Sequence, residues 1–323
     1  MLRETKRIDE ATKLEERVTV IESKIASGAL SQATSLNDQA VSYFDQGKYT
    51  EAEPLFQRAL AIREKTLGSE DPAVATSLND LGQVYRLQGK YRQAEPLLRR
   101  ALAIREKTFG PDDANVARSL NNLALLYDTQ GKHAEAEPLH QRALVIREKI
   151  LGSDDSAVAE SLNNLARLYN DQRKYADAEP LFRRSLAIYE KSVGPEHPIV
   201  GIVLSSRGGF YQDQGKYTKA EPLFQRSLSI LEKALGPDHP KTAQGLNNLG
   251  ACYSAQRKYS EAEPLFRRAL AVREKVLGPE HPAVATTLEN YAALLRQTKR
   301  DAEATKMEIR AKAIRGKEDS EKS

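Results

Sequence analysis

Five histidines, one cysteine and a glycine-bounded stretch are the residues of this chain most open to chemistry, and the spacing of each argues against it. The histidines are His133, His140, His197, His239 and His281, the last three recurring every 42 residues at one position of a repeated segment. Groups one repeat apart along a stack lie too far from each other to share a metal ion, whose bonds are about 2 Å long. The stretch "GGFYQDQGKYT" has the look of a phosphate-cradling loop. Yet Gly209 and Gly215 stand one residue further apart than that loop allows, and Tyr217 takes the place of its Ser or Thr. Cys252 occupies a position held elsewhere by Val84, Leu126 and Leu168, which makes it a core residue rather than a nucleophile. No catalytic residue, metal ligand or cofactor is expected, and the chain reads as a non-enzyme.

Composition narrows the rest. The 323 residues carry 49 Lys and Arg against 45 Asp and Glu, a net charge of +4 with no basic block, so a nucleic acid is not an expected partner. A single cysteine rules out an intrachain disulfide and fits a reducing compartment. The opening "MLRETKRIDEATKLEERVTV" lacks the apolar core of a secretory signal, and no run is long and apolar enough to enter a membrane. A cytoplasmic location is the expectation.

The elements that must position any site come from an internal period. Leu36, Leu78, Leu120, Leu162, Leu204, Leu246 and Leu288 are each 42 residues apart, and Tyr43, Tyr85, Tyr127, Tyr169, Tyr211 and Tyr253 keep the same register. Each unit reads as two helices. Leu120, Leu123, Ala124 and Tyr127 form the apolar stripe of a helix A, which Gly131 ends; Ala136, Leu139, Ala143 and Ile146 form that of a helix B, which Gly152 ends. Pro138 is expected in the first turn of helix B, and the Asp or His before proline in "GSEDPAV" or "GPEHPIV" as the cap of the next helix A. One helix pair has too little core alone, so the pairs must stack. The expected fold is all-α: a right-handed superhelical solenoid of seven helix-turn-helix repeats. The boundaries read 30–71, 72–113, 114–155, 156–197, 198–239, 240–281 and 282–312, with a disordered tail at 313–323.

The pattern resembles the tetratricopeptide repeat, as in Leu78-x2-Leu81-Gly82-x2-Tyr85 followed by Ala94-x3-Leu98. The unit is longer than the standard one, and "SLNNLA", "QGKY", "AEPLF", "RALAIREK" and "LGPEHP" make it similar to the repeats of kinesin light chains. The resemblance implies a non-enzymatic adaptor that holds an extended segment of a partner protein in a groove lined by the A helices. A kinesin heavy chain is a doubtful partner, because only residues 1–29 precede the repeats. Leu14, Val18, Ile21 and Ile25 there have coiled-coil spacing over about two heptads, so the segment reads either as a charged helix capping repeat one or as a short coiled coil. An architectural or regulatory module acting through self-association or this helix is the alternative function.

The same resemblance places Asn37, Asn79, Asn121, Asn163 and Asn247 on the concave surface, where a row of amides would hydrogen-bond an extended backbone. The competing reading is that asparagine bridges neighbouring helices, a role also expected of the adjacent Asp38, Asp80, Asn122, Asn164 and Asn248. Arg86, Arg118 and Arg167 lie at or near the concave side and would pair with acidic ligand residues, although Asp80, Asp128, Glu160 and Asp171 share their helices. Repeat five departs from the pattern: Gly209 is an added glycine, read as drift or as a recess in the groove. Arg99, Arg100, Arg105, Arg183 and Arg184 of the B helices are expected on a solvated convex face.

Overall fold

The computed structural model describes residues 14–316. The helices in chain order are α1 (Leu2–Asp45), α2 (Tyr49–Leu67), α3 (Pro72–Leu87), α4 (Tyr91–Phe109), α5 (Ala114–Thr129), α6 (His133–Leu151), α7 (Ser156–Asp171), α8 (Tyr175–Val193), α9 (Pro198–Asp213), α10 (Tyr217–Leu235), α11 (Pro240–Ala255), α12 (Tyr259–Leu277), α13 (Pro282–Gln297) and α14 (Asp301–Lys322). Odd-numbered helices are the A helices and even-numbered ones the B helices. Each packs on the next in the chain, and successive A helices also pack on one another, α3 on α5 through to α11 on α13. The fold is an all-α tetratricopeptide-type solenoid with its A helices on the inner side.

Local chemistry sets each boundary. Asp71, Asp113 and Asp155 cap α3, α5 and α7 by accepting from the backbone N–H two residues on, and His197, His239 and His281 do the same for α9, α11 and α13. Gly131 closes α5 with φ +71°, as its place in the sequence requires. Arg173, Arg257 and Lys299 adopt the same left-handed turn at φ 60–62°, each at a cost of about 1 kcal/mol. Pro138 lies further in than expected: α6 starts at His133, so the proline falls in the second turn. Its ring removes one interior N–H without ending the helix, because the flanking turns stay packed.

The two ends differ from expectation. α1 continues without a break from the N-terminal segment into helix A of repeat one. Leu14, Val18, Ile21 and Ile25 are exposed on it, between 52% and 67%, so this stripe does not cap repeat one. Residues 1–13 lie outside the described residues. At the other end residues 313–316 continue α14, and Ile314 is buried against the core of repeat seven. Order therefore extends past the expected start of the tail, whose remainder, 317–323, lies outside the described residues.

The coil also meets itself. The turn of repeat one reaches the start of helix A in repeat six, where His239 Nε2 lies 3.4 Å from the Asp45 carbonyl oxygen. A Cβ on Gly47 would stand 2.9 Å from Pro240 Cγ, so only glycine fits this approach without a shift. Tyr49 and Leu87 from one end and Lys241, Gln244 and Leu277 from the other line a cavity of about 460 Å³ beside the contact.

Candidate functional site

The asparagine row is a set of stitches between repeats. Asn79, Asn121, Asn163 and Asn247 are buried, each no more than 8% exposed. Asn122 Nδ2 donates to Asn79 Oδ1 at 2.8 Å, Asn164 to Asn121 at 2.9 Å and Asn290 to Asn247 at 3.2 Å. Asn248 makes the matching bond to Ser205 Oγ at 3.0 Å. Asn37 is half-buried and accepts from Arg63 at 3.4 Å. Of the open ladder expected at Asn37, Asn79, Asn121, Asn163 and Asn247, the structure engages Asn79, Asn121 and Asn247 with a partner one repeat on, whereas Asn37 is half-buried and bonded within its own repeat and Asn163 Oδ1 has no partner.

A second stitch joins α2 to α3, α4 to α5, α6 to α7 and α12 to α13. Arg63, Arg105, Arg147 and Arg273 donate to Ser77, Ser119, Ser161 and Thr287 hydroxyls at 2.5–2.9 Å. Arg105 is only 1% exposed, which removes it from the expected convex face. Arg100 and Arg184 do face outward, paired with Glu64 and Glu148 of the preceding repeat at 2.6 and 2.7 Å. Arg99 and Arg183 keep the expected i,i+4 partners Glu95 and Glu179. These alternating pairs neutralise the outer surface.

One joint has neither stitch among the described residues. Between repeats four and five, Tyr189 replaces the arginine and Val203 the serine, so an apolar contact stands where four other joints have a buried arginine–hydroxyl bond; Leu231 and Gly245 take those places between repeats five and six, where Asn248 keeps its bond to Ser205. Ser206 replaces the stitching asparagine and turns back to the Ile202 carbonyl at 3.2 Å. Asn163 Oδ1 is left buried with no partner, which is costly for a polar atom unless something supplies a donor.

A cavity of about 320 Å³ opens at that same joint on the inner face. Its apolar floor includes Phe182 and Phe210, whose ring centroids are 5.4 Å apart. Gly209 lines it where other repeats carry Gln83, Leu125 or Arg167, and a Cβ there would meet nothing within 4 Å. The recess read from Gly209 is therefore present. Around the rim stand Arg167 and Lys241, and opposite in sign Asp171 and Asp213. Burial raises the Asp171 pKa against the pull of Arg167, and lowers that of Lys241 against the pull of Asp45.

The three expected arginines do not converge. Arg86 donates through Nε and a terminal nitrogen to Gln83 Oε1 at 3.0 and 2.8 Å. Burial, followed by the charge of Arg167, lowers its pKa to about 10, so it stays protonated at neutral pH. Arg118 is exposed and donates to Asn115 Oδ1 at 2.7 Å. Arg167 alone lines the recess. Lys241, Gln244, Ser206 and Asp213 were not singled out from the sequence as groove residues. The signal for Ser206 was present, since it breaks a column otherwise filled by Asp80, Asn122, Asn164, Asn248 and Asn290.

Histidines and cysteine have structural places. His197, His239 and His281 cap helices through Nδ1. His140 is fully buried in the column of Phe182 and Phe224, with Nε2 2.8 Å from Asp128 Oδ2. No cluster of three or more potential metal ligands occurs among the described residues. Cys252 is fully buried, and that burial raises its thiol pKa, which disfavours the nucleophilic thiolate. No described helix is long and apolar enough to cross a membrane.

Comparison with known proteins agrees with this architecture. The tetratricopeptide repeat signature matches residues 31–107, 88–149, 116–191, 157–208, 199–275 and 245–317. No curated protein sequence matches the chain. Among solved structures, a Podosopora anserina protein described as a kinesin light chain with nearly identical TPR-like repeats is 27% identical; the match covers 64% of this chain and 98% of that one with a TM-score of 0.50. BtubC (BKLC) from P. vanneervenii is 23% identical over 78% of this chain and 92% of its own, with a TM-score of 0.53. The apo form of RapI shares the fold at 17% identity and a TM-score of 0.63, over 88% of this chain and 98% of its own. The matched span covers most of the sequence, and the chain belongs to the tetratricopeptide repeat family, with repeats of the kinesin light chain-like type.

Proposed function

We propose that the chain is a non-enzymatic adaptor whose concave groove holds an extended segment of a partner protein. One observation carries this reading. Positions that pack between helices are nearly constant from repeat to repeat, whereas those lining the groove differ, as in Gln83, Leu125, Arg167, Gly209 and Ala251. A stack maintained only for its architecture has no use for such variety, while a surface that reads a partner's side chains needs it. Preference for acidic segments is the weaker part of the proposal, because Asp128, Asp171 and Asp213 share the inner helices with Arg86, Arg118 and Arg167. The buried thiol fits a reducing cytoplasm as the place of action.

Capture of partners from native lysate tests the groove. Arg167→Ala/Gln244→Ala should lose the specific partner, while the outer-edge variant Arg142→Ala/Arg184→Ala keeps it. The reverse pattern would contradict the reading.

The exposed stripe of α1 favours a second reading, pairing with another copy of this chain. Val18 and Ile25 fall at a positions and Leu14 and Ile21 at d; the β-branched a residues and Leu14 suit a parallel two-stranded coil, while Ile21 departs from that pattern. In that parallel register Arg17 of one copy would face Glu22 of the other; an antiparallel pair would set like charges together. Sedimentation should then find a dimer that Arg17→Glu weakens and Arg17→Glu/Glu22→Arg restores. A monomer at all concentrations would end this reading.

A further inference from the structure

We infer that the joint between repeats four and five is the specificity subsite of the groove. There one bulky, uncharged apolar side chain of the bound segment enters the recess above Gly209. The inference rests on the groove reading above and adds where selection occurs and for what chemistry.

Three independent observations coincide at this joint. The inter-repeat amide bond is missing, with Asn163 only 8% exposed and its Oδ1 unpartnered. The arginine stitch is missing too, replaced by Tyr189 against an apolar wall. The side chain that would fill the inner face is missing as well, which leaves the cavity of about 320 Å³. That volume lies near the lower end for ligand pockets, roughly 300–1,000 Å³, and suits one large side chain rather than a whole cofactor.

The lining chooses the side chain. Phe182, Phe210 and Leu231 back the recess from the core, and the half-buried Ile202 adds carbon at its wall. Arg167 and Lys241 on the rim are balanced by Asp171 and Asp213, so a net charge on the entering group finds no net partner and would pay for desolvation.

Selection of phage-displayed random dodecapeptides on the full-length chain tests both parts. Peptides enriched on wild type are expected to share one Leu, Ile, Met or aromatic residue at a fixed register. Binding should weaken at least tenfold on Gly209→Leu, which fills the recess and favours the helix. Ser206→Asn, which adds bulk at a lining position and closes the joint through an amide bond to Asn163, should weaken binding about fivefold. Circular dichroism confirms that both variants fold. Peptides that bind wild type, Gly209→Leu and Ser206→Asn alike, yet are lost on Arg167→Ala/Gln244→Ala, would overturn the subsite and leave the groove reading intact. No enrichment on wild type would overturn both.

Discussion

The joint between repeats three and four and the joint between four and five are built from the same helix pair, yet they are held by different forces. At the first, Arg147 donates to Ser161 Oγ at 2.9 Å and to the Ala157 carbonyl at 2.7 Å, and Asn164 reaches Asn121 at 2.9 Å. At the second, Tyr189, Val203 and Leu204 meet in an apolar cluster, Ser206 bonds within its own helix, and a cavity remains on the inner side. Directional bonds fix the spacing of two helices, whereas an apolar contact tolerates small slides at little cost. Repetition thus stitches the stack, and a departure from it leaves an unstitched joint with an open cavity.

Breaking the stitched joint should have the largest effect. Arg147→Ala leaves the Ser161 hydroxyl and the Ala157 carbonyl short of their buried donor, and should destabilise the central repeats by about 2–4 kcal/mol in chemical denaturation. Transplanting the stitch sharpens the comparison from the other side. Tyr189→Arg/Val203→Ser should recover part of the stability that Tyr189→Arg alone removes, because the serine gives the guanidinium its partner; equal loss in both would mean the joint cannot accept the geometry.

A terminal contact gives a control with a pH signature. Burial alone would raise the Glu263 pKa, but hydrogen bonds from Arg300, Arg267 and Tyr291 outweigh it and hold the pKa at about 2. A folded-state pKa below the unfolded one means that the carboxylate stabilises the fold above its ordinary pKa, and that this is lost as pH falls toward 2. Glu263→Gln should therefore cost about 1–2 kcal/mol at pH 7, after discounting for solvent screening, and little at pH 2. A constant difference across that range would mean that the loss is one of packing. The smallest expected effect is the gain from Ser206→Asn, about 1 kcal/mol of added stability from one restored bond.

The repeat, its helical stripes and its caps were legible because they depend on local spacing: an Asp or His before the helix and a glycine after it act within one turn. The stitches were not. Asn79 faces Asn122 and Arg105 faces Ser119 only once the pairs are stacked, and no periodicity within one helix says whether an amide meets solvent or the next repeat. For that reason spacing alone leaves an open row and a bridging role equally compatible with the asparagines, and places Arg105 on the surface. The contact between Asp45 and His239 spans 194 residues and depends on the superhelical rise, which no single repeat encodes. Ser206 and Gly209 were visible as breaks in their columns, but the orphaned Asn163 that links them needs the stacked structure.

Hydrogen exchange read by mass spectrometry, on the free chain and with a selected peptide bound, tests the central claim most directly. The account predicts that amides of α9 exchange faster than those of α7 in the free protein, and that the peptide protects α9 and the facing end of α7 first. Uniform exchange along the repeats, or protection confined to the outer B helices, would contradict it.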